Sequence, residues 1–158
     1  MSPFINAVLI ATSILSAYPS WLLAQSPSAT STKIDACSLV PKEDVKKYLP
    51  WMVALDGMPI EEEPIGTTGS SCNYPSVFIQ VLPFSQGFID LARKKRGAEA
   101  ITDLGDEAYL YNNRDQYAEL VVRVGTRLLT LQANMNGKVE SVKPGVVSLA
   151  KLLVEKIR

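Results

Sequence analysis

The sequence contains no histidine, and its 16 Lys and Arg residues are balanced by 16 Asp and Glu residues. The lack of histidine excludes a Ser-His-Asp triad, a Cys-His nucleophile pair and the usual histidine-containing zinc sites. Proton transfer near neutral pH would depend on a carboxylate, lysine or tyrosine with a strongly shifted pKa. A formal net charge of zero provides no field that favours nucleic acid or a membrane surface. We therefore predict no catalytic residue, no metal site, no cofactor and no nucleic-acid partner.

Charge is also absent from the N-terminal segment. No Asp, Glu, Lys or Arg precedes Lys33, and residues 7–17 (AVLIATSILSA) are almost wholly apolar. This run of about eleven residues matches the core of a signal peptide, whereas a membrane-spanning helix needs roughly twenty. We expect a signal peptide over residues 1–24, a flexible polar leader over 25–35 and a single α+β domain over 36–158.

The expected signal peptide predicts an exported protein, either periplasmic or extracellular. The alternative is an uncleaved N-terminal anchor, which the apolar residues Trp21, Leu22 and Leu23 favour and the nearby Ser, Thr and Pro residues oppose. The first seven residues, MSPFINA, also lack the Lys or Arg that usually precedes a signal-peptide core. A membrane partner is expected only if this segment is retained.

Cysteine is scarce, with Cys37 and Cys72 as the only two. In an oxidising compartment an even pair usually forms a disulfide, and closing a loop of about 35 residues would stabilise the fold by roughly 3–4 kcal/mol. Lipid attachment at Cys37 is disfavoured because Asp35 lies inside the small-residue box that acylation requires. Two thiolates without histidine are too few for a metal site, and a redox pair is more often a C-x-x-C motif. A structural disulfide is the favoured interpretation.

The first half of the domain mixes helix and strand signals. Pro41 is predicted to open a helix with Glu43 and Asp44 in its first turn, where the helix dipole favours carboxylates. The prolines between Met58 and Ile65 predict an edge strand there. Residues 72–82 (CNYPSVFIQVL) alternate like a strand.

A second helix is predicted to begin at Ser85 and to end at Gly97. Its expected buried stripe consists of Phe88, Leu91 and Ala92.

The second half contains the clearest local pattern. A strand is predicted from Tyr109, and AELVVRVGTRLLTLQA over residues 118–133 predicts a hairpin with a type II′ turn at Gly125-Thr126. The expected register gives one apolar face and one mixed, partly wet face. It pairs Val124 with Arg127, Val122 with Leu129, Leu120 with Leu131 and Ala118 with Ala133.

The final helix is predicted from Val142 to Ile157, with an apolar stripe that docks on the sheet. The stripe consists of Val146, Leu149, Ala150, Leu153 and Ile157. The predicted fold is therefore α+β, with an antiparallel sheet of about five strands and three helices in the order α-β-β-α-β-β-β-α.

Arg93-Lys94-Lys95-Arg96 is a run of four cations. One interpretation is a nucleic-acid contact. The favoured interpretation is that these cations end a helix just before Gly97, where the helix dipole stabilises positive charge.

Three short motifs, ACSLVPKEDVKKYL, SSCNYP and LGDEAYL, resemble a family of small exported bacterial domains of unknown function, best known as actinobacterial lipoproteins. The family pattern is a Cys-Ser-Leu-Leu start, a second Cys before an aromatic residue, and Gly-Asp-x-Ala-Tyr. The resemblance spans most of residues 36–157 and implies an exported, disulfide-bearing α+β domain like the sandwich of photosystem P-type and Mog1-type proteins. It implies no catalytic residues. Val40, Pro41 and the missing lipid box depart from the pattern. The matching residues are Cys37, Ser38, Leu39, Cys72, Tyr74 and 105–109.

Three further patterns each allow a functional and a structural interpretation. Asp103, Asp106 and Glu107 gather acidic groups near a glycine, but they lack the ligand spacing of a calcium loop, so a turn before a strand is favoured. The GTTGSS stretch before Cys72 lacks the Lys and the following helix of a phosphate-binding loop, so a plain loop is favoured. The tyrosines of the second half, Tyr109, Tyr111 and Tyr117, either line a ligand groove or belong to the core.

No motif identifies a substrate. The expected function is a non-catalytic exported module that binds an unknown protein or envelope ligand through a sheet face or groove. A small carboxylate-based hydrolase of the cell envelope and a purely structural accessory protein are the alternatives. Clustered carboxylates with raised pKa values would favour the hydrolase, whereas an exposed apolar patch ringed by polar residues would favour the binding module.

Overall fold

A computed structural model describes residues 34–50, 60–114, 116–134 and 139–158. The predicted signal peptide and the leader up to residue 33 lie outside the described residues, as does the start of the predicted edge strand at Met58. Within the described ranges no helix is long and apolar enough to span a membrane.

The described chain forms one antiparallel sheet with helices packed on it, which confirms the α+β class. The helices are α1 (Ala36–Leu39), α2 (Lys42–Tyr48), α3 (Gln86–Arg93) and α4 (Val139–Ile157). The strands are β1 (Glu61–Ile65), β2 (Gly69–Tyr74), β3 (Val77–Pro83), β4 (Glu99–Ala100), β5 (Glu107–Asn113), β6 (Tyr117–Val124) and β7 (Arg127–Asn134). The strand order is β1-β2-β3-β7-β6-β5-β4, so the predicted edge position of the first strand is correct.

The predicted counts of five strands and three helices are too low, because the described residues contain seven strands and four helices. The turn at Pro75-Ser76 divides the single strand expected over 72–82 into β2 and β3. The helix α1 escaped prediction because it has only four residues, although Asp35 caps it by accepting hydrogen bonds from the Cys37 and Ser38 amides at 2.9 and 3.1 Å. At two residues, β4 is too short to show a period.

The hairpin of β6 and β7 has the predicted register. Val124 pairs with Arg127, and Gly125 takes a positive φ of 57°, as the first central residue of a type II′ turn requires. The apolar side of the hairpin belongs to the sheet face that packs against α1, α2 and α4, which we call the α4 face. In α4, which begins at Val139 instead of Val142, the predicted stripe is buried except for the half-buried Ile157.

The opposite side of the sheet, the α3 face, carries a second buried cluster. Ile89 and Ala92 of α3 pack there against Tyr111, Val121 and Leu128. The sequence predicts a mixed, partly solvated face on this side of the hairpin. In the structure α3 covers the most apolar part of that face.

The predicted buried stripe of α3 is correct for Ala92 and wrong for Phe88 and Leu91. Ile89 is fully buried, whereas Phe88 is 49% exposed and Leu91 is 62% exposed. Ile89 and Ala92 are three residues apart and share the side that contacts the sheet, which turns Phe88 and Leu91 outward. The helix also ends at Arg93, so Lys95 and Arg96 lie beyond its last turn and the interpretation of these cations as helix-ending is only partly confirmed.

Three contacts attach the N-terminal segment to β2. The predicted disulfide between Cys37 and Cys72 is present, with a Cα–Cα distance of 4.9 Å. The hydroxyl of buried Ser70 accepts from the Ala36 amide at 2.7 Å and donates to the Ile34 carbonyl at 2.6 Å. The phenol of Tyr74 donates to the Val40 carbonyl, and burial raises the pKa of Tyr74 to about 12.

Removal of the disulfide should destabilise the protein strongly. We expect Cys37→Ala/Cys72→Ala to lower the free energy of unfolding by about 3–4 kcal/mol, because the unfolded chain regains the freedom of a loop with a separation of 35 residues. Denaturant unfolding with and without reductant provides the check. Reductant should lower the midpoint of the wild type and leave that of the double variant unchanged. Equal wild-type midpoints under both conditions would show that the disulfide does not stabilise this fold.

Two helical glycines should respond in opposite directions to alanine. A Cβ at Gly145 in α4 would overlap the Tyr48 carbonyl oxygen, so Gly145→Ala should separate α4 from the end of α2 and cost about 1–3 kcal/mol. At Gly87 in α3 the nearest atom is 3.8 Å away, so Gly87→Ala should stabilise by up to about 1 kcal/mol through helix propensity. Melting temperatures test both, and equal shifts in one direction would contradict the close approach of the two helices.

Candidate functional site

The α3 face carries a row of cross-strand neighbours that extends over five strands. Asn73 of β2 pairs with Phe78 of β3, and Phe78 pairs with Gln132 of β7. Gln132 pairs with Glu119 of β6, and Glu119 pairs with Tyr111 of β5. The helix α3 packs over β5 and β6, so Tyr111 is buried. The three residues on β2, β3 and β7 are only half-buried. The row is thus covered at one end and accessible at the other.

A groove of about 400 Å³ lies at the accessible end of the row. Five residues of the α3 face line it, together with the turn between β2 and β3 and the residues on either side of that turn. We call it the amide–aromatic groove, and its five face residues are Asn73, Phe78, Tyr117, Gln132 and Asn134. The backbone N–H of Asn134 donates to the Ser76 carbonyl at 2.8 Å, which holds the end of β7 against the turn.

The groove combines amides with aromatic rings. Asn and Gln side chains each donate and accept hydrogen bonds, and the Tyr117 phenol does the same. Phe78 and Tyr117 provide two rings, and Tyr117 is 37% exposed. Among the described residues that line the groove there is no Asp, Glu, Lys or Arg. The lining is suited to a ligand with polar but uncharged groups and an apolar side.

Next to the groove, Glu119 is held in a polar cluster under α3. The residue is only 9% exposed, and its Oε2 accepts from Asn113 Nδ2 at 2.5 Å. Burial is the main cause that raises the pKa of Tyr111, and its hydrogen bond to Glu119 adds to the effect. The phenol therefore stays protonated and donates to the carboxylate. Lys95 lies with Nζ 5.8 Å from the centroid of the Tyr111 ring.

A second polar network attaches the end of α3 to β5. Arg93 Nη2 donates to Glu107 Oε1 at 2.5 Å, and Arg93 Nε donates to the Tyr109 phenol at 2.9 Å. The same phenol donates to Glu107 Oε1 at 2.9 Å. The hydrogen bond from Arg93 lowers the pKa of Glu107, and the bond to Glu107 raises the pKa of Arg93. Because Arg93 is half exposed and Glu107 is partly exposed, solvent screens the pair, and the network positions α3 more than it stabilises the fold.

The three acidic residues considered for a calcium site each have a different environment. Asp103 adopts a positive φ of 58° in an exposed turn. Asp106 accepts from the Gly125 amide at 2.6 Å, and Glu107 binds Arg93 as described. The interpretation of this stretch as a turn before a strand is confirmed, since β5 begins at Glu107. Within the described ranges no three His, Cys, Asp or Glu side chains are grouped closely enough to hold a metal ion.

The loop expected over GTTGSS is only half correct. Residues 66–68 form the turn between β1 and β2, whereas 69–71 already belong to β2, where they pair with β1 and, from Ser70 on, with β3. The three tyrosines divide between the two interpretations. Tyr109 and Tyr111 pack in the cluster under α3, and Tyr117 lines the groove.

Sequence reasoning did not identify Asn73, Phe78, Gln132 and Asn134 as a site. Strand alternation was enough to put Phe78 on one face and the hairpin register was enough to pair Gln132 with Glu119. The missing information was the pairing of β3 with β7, because 43 residues lie between the end of the first and the start of the second.

Comparisons with protein-family models, with curated proteins and with solved structures find no match.

The buried phenols should make the fold sensitive to alkali. The folded-state pKa values of Tyr74 and Tyr111 are raised, so their stabilising effect is complete below the unfolded-state pKa of about 10 and is lost as pH rises through the folded values, about 12 for Tyr74. We expect the free energy of unfolding to fall above pH about 10. Urea unfolding across this range should show a shallower fall for Tyr74→Phe/Tyr111→Phe. An unchanged slope in the double variant would contradict the assignment.

Proposed function

We propose that this protein is an exported, non-catalytic binding module and that the amide–aromatic groove binds a neutral, hydroxyl-rich ligand such as a segment of envelope glycan. The observation that carries the proposal is the composition of the groove. It places three amide side chains and two aromatic rings around about 400 Å³ of accessible space.

Two features support export. The disulfide between Cys37 and Cys72 is typical of proteins in an oxidising, non-cytoplasmic compartment. The apolar run over residues 7–17 has the length of a signal-peptide core. The resemblance of the Cys-Ser-Leu start and of the Gly-Asp-Glu-Ala-Tyr stretch to exported bacterial domains supports the same assignment and leads us to propose membership of that family.

The chemistry of the groove favours a neutral saccharide. A hydroxyl group both donates and accepts, and amide side chains offer both functions at one position, so Asn73, Gln132 and Asn134 match a ligand with several hydroxyls. The apolar C–H faces of a sugar ring pack on aromatic rings, which Phe78 and Tyr117 provide. A charged ligand would need a counter-ion in the lining, because a desolvated charge without a partner is costly.

The alternative, a carboxylate-based hydrolase, is favoured by one observation. Glu119 pairs with the groove residue Gln132, so a carboxylate lies next to the groove. Hydrolysis of a glycosidic bond by paired carboxylates requires separations of about 5–10 Å. Along the same row the next carboxylate is Glu61, which is four strand spacings away, roughly 19 Å. This spacing and the engagement of Glu119 by Tyr111 favour binding over hydrolysis.

The proposal is tested with neutral oligosaccharides of defined structure, for which we name chitohexaose, cellohexaose and maltohexaose. Binding of one of them should perturb the side-chain amide NMR signals of Asn73, Gln132 and Asn134. Tyr117→Ala should weaken binding about tenfold, which corresponds to about 1.4 kcal/mol, because a ring face and a hydroxyl are lost together.

The matched control is Phe88→Ala, which removes another exposed ring on the same side of the sheet but outside the groove. It should leave oligosaccharide affinity unchanged. If none of the three probes perturbs the groove amides, or if both alanine variants weaken binding equally, the groove is not the glycan site. Release of shorter oligosaccharides, abolished by Glu119→Gln, would favour the hydrolase instead.

A further inference from the structure

The outer side of α3 exposes two large apolar residues next to each other. Phe88 and Leu91 are 49% and 62% exposed and lie three residues apart, so they are neighbours on one side of the helix. Ile89 and Ala92 pack on the sheet from a different side of the helix, centred about 100° away. Across the rest of the described chain, only Ile60 and Tyr117 join these two as exposed large hydrophobic residues. Phe88 and Leu91 therefore form a small apolar patch, whereas exposed apolar residues on most protein surfaces are scattered singly.

Positive charges are concentrated at the C-terminal end of α3 and in the three residues that follow it. Residues 86–97 contain four cations, Arg93 to Arg96, and a single carboxylate, Asp90. Arg93 is engaged by Glu107, whereas Lys94, Lys95 and Arg96 are exposed at the end of the helix. Lys95 lies beyond the helix with its Nζ near the Tyr111 ring, which leaves Lys94 and Arg96 as the cations of the outer surface.

The carboxylates near the end of α3 do not neutralise these cations. Asp90 accepts a hydrogen bond from Gln86 Nε2 at 3.1 Å and is the one acidic residue on α3. Glu107 pairs with Arg93, and Glu99 pairs with Lys143 of α4 at 2.6 Å. The exposed end of α3 consequently presents an excess of positive charge in a chain whose net charge is zero.

We propose that this surface, made by Phe88, Leu91, Lys94 and Arg96, binds the surface of an anionic lipid bilayer. Apolar side chains flanked by Lys and Arg are the combination by which interfacial helices insert shallowly among lipid headgroups while their cations attract anionic lipid. A nucleic acid would use the cations and leave the exposed Phe88 and Leu91 without a role. The inference is independent of the groove and provides a membrane contact that does not require retention of the N-terminal segment.

The test uses the purified protein with vesicles of POPC and of about three parts POPC to one part POPG, separated by sedimentation. We expect binding to the POPG vesicles, weaker binding as NaCl is raised, and little binding to POPC alone. Phe88→Ser/Leu91→Ser and Lys94→Glu/Arg96→Glu should each lower the partition coefficient at least about tenfold. All four side chains are exposed, and circular dichroism should show that both variants fold.

The matched control is Lys151→Glu/Arg158→Glu, which makes the same change in net charge at exposed positions at the C-terminal end of the chain. It should change partitioning by less than about twofold. A conservative pair, Lys94→Gln/Arg96→Gln, should give an intermediate loss. Equal binding to neutral and anionic vesicles, equal loss in the control, or binding to a DNA duplex without binding to vesicles would each overturn the proposal.

Discussion

The register of the four central strands, β3, β7, β6 and β5, is the constraint on which the rest of the structure depends. Because side chains alternate along a strand, a slip of one residue would move Leu120 and Leu131 from the α4 face to the α3 face. Glu119 and Gln132 would then face the apolar side of α4, where they would lack polar partners. The observed register avoids this cost and, at the same time, aligns the row from Asn73 to Tyr111 across five strands. The core, the docking surface of α3 and the groove therefore share one cause.

The N-terminal segment is held by a different kind of interaction. A helix of four residues such as α1 has too few hydrogen bonds to be stable alone. It persists because the disulfide, the Ser70 hydroxyl and the Tyr74 phenol attach residues 34–40 to β2 at three points. With α1 fixed, Val40, Val45 and Leu49 extend the apolar layer that α4 begins. Covalent and polar contacts thus complete a core that the sheet and α4 cover only in part.

The sequence predicts local pairing well and distant pairing poorly, and the reason is physical. The hairpin of β6 and β7 follows from an alternating pattern on both sides of Gly125, and α4 follows from a helical period, because each pattern is contained in one short stretch. The disulfide follows from the count of two cysteines.

The groove has no such local signal. It requires β3 to lie beside β7, a contact between distant segments that no period in either strand encodes. For α3 the error is smaller but instructive. Phe88 and Ile89 are both apolar, and an eight-residue helix has too few turns for its period to decide which of them faces the sheet.

The α3 face explains why both proposed surfaces lie on the same side of the molecule. The α4 face is covered by a helix of 19 residues together with α1 and α2, whereas the described cover of the α3 face includes a helix of only eight. So short a helix shields Tyr111 and Val121 but leaves Phe78 and Gln132 half-exposed, and no described layer lies outside it to cover Phe88.

The amide–aromatic groove and the outer side of α3 are both exposed because the described helices cover the α3 face incompletely. If the cationic end of α3 binds a bilayer, the α3 face turns toward the membrane, and a ligand in the groove is held close to the lipid surface. The two proposals are then linked by geometry, although each depends on different residues. Loss of Lys94 and Arg96, just beyond α3, would release the protein from lipid without altering the groove.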